Sequence, residues 1–573
     1  MAPSPTPNAP RTLAELVDLL KDDEMVKVAG VDVDGVLRGK IMSKSKFLSA
    51  VETSFGFCGV VFAWDMHDAT YPRELLVSNK SNGYRDLNAQ IDLSTYRQIP
   101  WEDNIPFFLV YFYDQGDDKP LPVDPRSALA KVTDEAKAMG WDCMTGAEFE
   151  FAETAQSAEA KSFVNLTPLT PGNHGYSLLR TTLNKDYFYD LYKVSSKMGV
   201  EIEGHHTETG PGVFETALAY TDAGRMADNA LLFKLIAKSM GMKHNVLPSF
   251  MAKPWENVGT WASYLSNRQL SGCSGHIHVS LRDKDGRNIF GLSKEETAAG
   301  GRKDAKWKDL QYISQEAEWF LAGLLEGLKD GELMRARTQL TSVIPLMCPT
   351  INSYKRLLGG EQYWAPDTAS YGYDSRAASI RIISAPGVKP SATRFEVRIP
   401  GADMNTHYAI AAIYALGLRG IKNKTPLPYG PIGAPGVSRD TITHLPITLE
   451  SATEAFMAKD SIAREVFGDF FVDHFGGTRE VELEQFARAV TDWERTKAEA
   501  EHRADRFREH HEEPLRPKKI REFQMLGPSA AASPATLEGG DGFGIAKLGS
   551  DRRNAKCCAD EPAFDTVMQT ERQ

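Results

Sequence analysis

The chain has 573 residues, 42% hydrophobic and 25% charged, with a formal net charge of −11. That length exceeds one small core, and the acidic balance argues against a nucleic-acid-binding footprint. No apolar run approaches the roughly 20 residues of a membrane span, and the cysteines (Cys58, Cys143, Cys273, Cys348, Cys557, Cys558) form neither a disulfide framework nor a CxxC pair.

In chain order, residues 1–11 are Pro-rich and polar, lack the apolar segment of a signal peptide, and read as a disordered lead. With the scattered cysteines, this makes a reducing cytoplasm the expected home. Residues 12–20 have helical apolar spacing with Thr12 as cap. Alternation on both sides of Asp34-Gly35 predicts a β-hairpin, and further strands are expected over 59–64 and 106–112. Residues 12–115 thus read as a small α+β unit. A helix over 128–139, stopped by Gly140, leads into a strand carrying Glu148 and Glu150. Charged strands then alternate with helices over 227–240, 314–328 and 407–418, giving one large α+β domain over 120–511. Residues 491–511 are highly charged and helical in pattern. The Ser-, Ala-, Gly- and Asp-rich remainder of 512–573 reads as a disordered tail.

Four short runs carry chemistry: Gly146-Ala147-Glu148-Phe149-Glu150-Phe151; His206-Thr207-Glu208 with Pro211-Gly212-Val213-Phe214-Glu215; Gly275-His276-Ile277-His278; and Phe395-Glu396-Val397-Arg398. Residues two apart on a strand share a face, so Glu148 with Glu150, His276 with His278, and Glu396 with Arg398 project together. Each glutamate alone is an ordinary solvated side chain. Together, five carboxylates and His276 form an oxygen-rich set with one imidazole, the donor type for Mg²⁺ or Mn²⁺. The arginines at 356, 376, 381, 394 and 398 suit carboxylate and phosphate, or else pair with the acidic strands. There is no P-loop and no dinucleotide fingerprint.

These runs, with Asn352-Ser353-Tyr354-Lys355-Arg356 and Arg376-Ala377-Ala378-Ser379-Ile380-Arg381, resemble the glutamine synthetase family in order and spacing from about Val28 to about Glu484. The resemblance implies an N-terminal β-grasp domain, a catalytic domain on a curved antiparallel sheet, and a double-ring homo-oligomer with active sites between subunits. It also implies ATP and two or more Mg²⁺ or Mn²⁺ ions. Carried across, Glu150, Glu208 and Glu215 match ligands of one metal; Glu148, His276 and Glu396 match ligands of another. His278, Ser280, Arg381 and Arg394 match nucleotide-side positions. Gly272, Arg356 and Arg398 match the amino-acid substrate site, and Arg376 the arginine on the transferring phosphate.

The implied reaction is ATP-dependent ligation of an amine to the γ-carboxylate of glutamate. Departures bear on the amine: Trp364 stands where ammonia users carry a glutamate, Ser271 where they have Asn, and Val213 where they have Gln. Ammonia and an organic amine both stay open as acceptor, with Trp364 suited to an alkyl-bearing one. Asp65 and Asp68 are candidates for the aspartate that a neighbouring subunit supplies. Two other readings are an inactive scaffolding relative, against which the full ligand set argues, and a two-metal hydrolase, which leaves the arginines unexplained.

Overall fold

Alternating apolar and polar residues build two sheets in the computed structural model, which describes residues 6–155, 167–254, 271–328, 342–358, 365–491 and 494–495. The first sheet contains β1 (Met25–Val31), β2 (Leu37–Ser43), β3 (Phe55–Cys58), β4 (Asp86–Ile99) and β5 (Ile105–Tyr113) in the order β2-β1-β5-β4-β3. β1 and β2 are the expected hairpin. Its turn is held by Asp32 Oδ1, which accepts from the amides of Asp34 (3.0 Å) and Val36 (2.8 Å). β1 and β5 run parallel, and the helix Lys44–Thr53 covers the sheet with Phe47 against Phe108, ring centroids 4.9 Å apart. This is a β-grasp-like arrangement. The strand expected over 59–64 is a 3₁₀ turn, Gly59–Ala63. Its apolar, β-branched run imitates a strand, yet Gly59, Val61, Phe62 and Ala63 are all buried, which one-sided strand alternation does not give. Thr6, within the lead, is fastened to β4 by bonds to the carbonyls of Ser94 and Tyr96.

The second sheet contains β6 (Trp141–Ala155), β7 (Thr167–Pro168), β8 (Ile202–Thr207), β9 (Val213–Asp222), β10 (Val246–Ser249), β11 (Gly275–Asp283), β12 (Tyr371–Tyr373), β13 (Ile380–Ile383) and β14 (Arg394–Val397). Its main path is β12-β13-β14-β11-β6-β9-β8, with β7 and β10 also on β6. Every pairing is antiparallel except β12 with β13.

The sheet has one apolar face. Phe149, Phe151, Ile277, Val279, Ile380, Ile382, Phe395 and Val397 are buried, and helices cover them. Phe149 stacks near Phe233 of the helix Ala223–His244, and Phe395 lies against Phe320 of the helix Gln315–Gly327. The long helix Thr406–Asn423 is tied to the sheet by Tyr414, whose hydroxyl donates to Met144 O at 2.6 Å. The opposite face of the same strands is left for the charged residues.

The chain divides after Val490 into two units. Of the second, only Thr491, Glu494 and Arg495 are described, so the expected helix over most of 491–511 and the tail lie outside the described residues.

Candidate active site

Strand register assembles the site. On β11, His276 stands opposite Glu148 of β6, and His278 stands opposite Glu396 of β14. Glu396 is in turn opposite Arg381 of β13. Across β6, Glu150 is opposite Glu215 of β9, which is opposite His206 of β8. These side chains alternate with the buried apolar ones, so they share the face opposite the apolar one. Glu208 follows β8 directly and is reached by a tight loop: its amide donates to Val213 O at 2.8 Å, and Gly212 has φ +66. A Cβ at Gly212 would stand 2.4 Å from Glu153 O, so only glycine lets that loop lie against β6.

Two clusters result. Glu148, His276 and Glu396 bring one ligand atom each to within 4.8 Å of the others, and His206, Glu208 and Glu215 do the same. The first has the composition expected from the sequence. The second joins Glu208 and Glu215, both expected there, with His206; Glu150 lines the same cavity, and its Oε2 accepts from the Ser274 amide at 2.7 Å. His206 Nε2 lies 3.4 Å from Glu215 Oε1, and Tyr176 stacks on the ring at 4.4 Å. The sequence reading quoted His206 but gave it no role. The same spacing of two, His206 to Glu208, is the signal that marked the other pairs.

Electrostatics follow from this crowding. Burial raises the Glu396 carboxyl, yet His276, His278 and Arg398 overcome that and hold it down at about 2. Burial works against Glu148 too, but hydrogen bonds to His276 and His278 keep it well below the carboxylate range. Glu150 moves upward, through burial and Glu215, with His276 and the Ser274 amide opposing. His206 is raised to about 9, chiefly by its bond to Glu215. Imidazoles thus offset carboxylate charge where a divalent cation could, and both clusters suit a hard cation in ligand type and number.

A cavity of about 330 Å³ lies over this face. Among the expected site residues it is lined by Glu148, Glu150, Glu208, Glu215, Gly272, His276, Arg356, Arg376, Glu396 and Arg398. Arg356 comes from the helix Ile351–Leu357 and donates to Ile399 O (2.8 Å) and Arg398 O (2.9 Å). Arg398 is ion-paired with Glu396. Gly272 is pressed against Arg356: a Cβ there would meet Ala252 O at 2.4 Å and the Arg356 Cγ at 2.8 Å.

His278, Arg381 and Arg394 lie beside the cavity as a linked row. His278 Nε2 is 3.0 Å from Glu148 Oε1, Arg394 Nε donates to His278 Nδ1 at 3.2 Å, and Arg381 Nη1 donates to Glu396 Oε2 at 2.8 Å. Ser280 is further along β11, outside the cavity lining. Trp364 lies outside the described residues; its neighbour Ala365 lines the cavity. Asp65 and Asp68 are on the first sheet's side, Asp65 accepting from the His67 and Ala69 amides and Asp68 ion-paired with Arg38. A separate cavity of about 260 Å³ beside Arg126, Asp142 and Asp228 includes none of the expected site residues.

Comparison with known proteins gives the family. Residues 122–498 match the family described as glutamine synthetase, catalytic domain. A type-1 glutamine synthetase 2 of Dictyostelium discoideum is 40% identical over 476 residues, covering 82% of each chain. A glutamate–isopropylamine ligase of Pseudomonas sp is 32% identical, covering 82% of this chain and 94% of its own. The γ-glutamylethanolamide synthetase GlnA4 of Streptomyces coelicolor is 30% identical, covering 82% and 92%. The solved structure of apo GmaS shares the fold, with a TM-score of 0.65 at 24% identity over 85% of this chain and 98% of its own. With the charged sheet face, the arginines on its cavity and these matches in place, the chain belongs to the glutamine synthetase family and is a ligase of that type.

Proposed function

We propose that the protein joins an amine to the γ-carboxylate of glutamate, using ATP and passing through γ-glutamyl phosphate. The observation that carries this reading is that Arg356, Arg398 and Gly272 line one cavity with Glu148, His276 and Glu396 of one cation-type cluster and Glu208 and Glu215 of the other. A clamp for an amino-acid carboxylate thereby faces groups suited to transferring phosphate. Glu148, His276 and Glu396 would hold one Mg²⁺ or Mn²⁺; Glu208 and Glu215, with Glu150 or His206, would hold another. Such ions, when bound, supply charge stabilisation for phosphoryl transfer.

The chain's own residues do the remainder. Arg356 and Arg398 orient the glutamate α-carboxylate through bidentate-type contacts. His278, Ser280, Arg381 and Arg394 form the nucleotide side, and Arg376 neutralises the moving phosphoryl group. The γ-carboxylate oxygen bonds to the terminal phosphorus while the bridging bond to ADP breaks. The amine nitrogen then bonds to the acyl carbon and loses a proton, and phosphate leaves with the former carboxylate oxygen. The cavity must keep water from competing for the acyl phosphate. Glutamate carrying ¹⁸O in its γ-carboxyl tests this: one labelled oxygen should appear in the released phosphate. Unlabelled phosphate formed during turnover would contradict an acyl-phosphate route.

A second reading concerns the amine. Trp364 at the position of the ammonia users' glutamate, and Ser271 on the cavity, favour an alkyl-bearing amine and hence a γ-glutamylamide product. Replacement Trp364→Glu should then shift preference toward ammonium in competition assays; an unchanged ratio would remove Trp364 from the specificity site. The family's homo-oligomeric double ring, with sites completed by a neighbouring subunit, is part of the same proposal. So is a cytoplasmic location, which suits the free and largely buried thiols of Cys143, Cys273 and Cys348.

A further inference from the structure

The glutamate-clamp residues do not stand on their own elements alone. They rest on one loop, 399–405, whose backbone is bonded on several sides. Ile399 O and Arg398 O receive the two Nη atoms of Arg356 at 2.8 and 2.9 Å. Pro400 O accepts from the Gly275 amide at 2.9 Å, and the Ala402 amide donates to Cys273 O at 3.2 Å. The loop thus fixes the chain on both sides of Ser274, whose amide holds Glu150 at 2.7 Å, and immediately after Gly272. From the clamp helix, Thr350 and Ser353 donate to Asp403 Oδ2 at 2.8 and 2.7 Å.

One lysine anchors this loop from beneath the sheet. Lys234, on the helix Ala223–His244, donates its ammonium to Ala402 O at 2.7 Å and to Met404 O at 2.9 Å. It reaches those carbonyls past the rings of Phe149 and Phe250, at 5.0 and 5.5 Å from their centroids, on the apolar face opposite the site. Two carbonyls of one tight loop, aimed at one ammonium, are fixed relative to each other as well as to the helix. Among the described residues, Lys234 makes no side-chain hydrogen bond to a residue that lines the cavity. Its influence on the site passes through this main chain and through the Asp403 carboxylate, whose charge it feels and which holds Thr350 and Ser353.

We propose that Lys234 is a positioning residue for the acid substrate: it fixes loop 399–405 and, through that loop, the guanidinium of Arg356 and the backbone at Gly272. This rests on the reading that Gly272, Arg356 and Arg398 hold glutamate. ATP meets residues of β11, β13 and β14, whose ladder bonds to neighbouring strands do not involve Lys234. Loss of the anchor therefore weakens one substrate and spares the other.

The test is Lys234→Met, which keeps the length of the stem against Phe149 and Phe250 while removing the donors. Lys234→Gln is the second variant should Met not yield soluble protein. Expected are a rise of at least tenfold in KM for glutamate, with KM for ATP and the oligomer mass unchanged to within twofold. Amide hydrogen exchange should quicken in 272–275 and 399–405 and stay unchanged in β1–β5. Equal changes in both KM values, no change in either, or unchanged exchange in those two segments would overturn the proposal. The wild type tells the two readings apart. If it lacks glutamate-dependent turnover, the substrate assignment fails, and the exchange comparison still decides whether Lys234 positions the loop.

Discussion

Glu396 shows how much of the site depends on single side chains. Only 1% exposed, it accepts from Arg381 and Arg398 while facing His276 across 3.4 Å. Removing one member of a buried ion pair strands the others, at about 3–5 kcal/mol. Glu396→Ala should therefore lose both phosphoryl transfer and stability. Glu396→Gln keeps an acceptor for the arginines and removes the charge. It should retain most of the melting temperature while lowering kcat by about a hundredfold or more, the scale seen when one electrostatic stabiliser is lost. Near-normal turnover in Glu396→Gln would remove Glu396 from the metal set. At this scale the sequence was readable because the groups repeat at a spacing of two, and strand geometry turns that spacing into a shared face. His206 carries the same signal in its spacing of two from Glu208, while its closeness to Glu215 comes from β8 pairing with β9, a long-range register. Glu150 was legible as a site residue, but its bond to the Ser274 amide was not, since that amide arrives from a segment more than a hundred residues away.

At the scale of elements, the helices were legible from their apolar periodicity. Asp124, Ser314 and Asn405 each accept a backbone amide at a helix start, close to the starts read from periodicity. The turn at Gly59–Ala63 was not legible, since an apolar run carries no period to separate a strand from a buried turn. Helix packing under the sheet depends on small residues that the sequence leaves unexplained. Gly323 and Gly420 meet where the helices Gln315–Gly327 and Thr406–Asn423 cross. A Cβ at Gly323 would lie 2.2 Å from Leu416 O and 2.8 Å from Gly420 Cα. Alanine in a helix interior gains about 1 kcal/mol over glycine, while overpacking costs about 1–3 kcal/mol and more against backbone that cannot swing aside. The clash wins, so Gly323→Ala should lower the unfolding midpoint in denaturant. A raised midpoint would mean the crossing is looser than its geometry.

Within the unit that ends at Val490, the first sheet is joined to the catalytic body through its turns and the helix Asp469–Arg488. Arg479 Nη2 donates to Asp34 Oδ1 at 2.6 Å, Asn405 donates to the carbonyls of Asp32 and Val33, and His474 Nε2 meets Phe62 O at 3.1 Å. Burial lowers His474 from 6.5 to about 4. The unfolded chain takes up that proton below pH 6.5, the folded chain only near 4. The contribution is therefore full above 6.5 and lost as pH falls toward 4, by roughly 3 kcal/mol. Asp32, raised by burial and Asp34 to about 7, acts in the opposite sense over a similar window, so total stability hides the effect. Comparison with His474→Gln isolates it: the stability gap between wild type and variant should narrow from pH 7 to pH 4. A constant gap would mean that His474 takes up its proton in the fold as readily as in the unfolded chain.

For the molecule as a whole, the central claim is that this cavity couples ATP cleavage to joining an acid and an amine. Phosphate release from ATP with Mg²⁺ or Mn²⁺, with and without glutamate, across amines from ammonium to isopropylamine, ethanolamine and polyamines, tests it most directly. The account predicts release that requires both glutamate and an amine, and the preferred amine identifies the product. Release indifferent to glutamate, or silence across the whole panel, would contradict it.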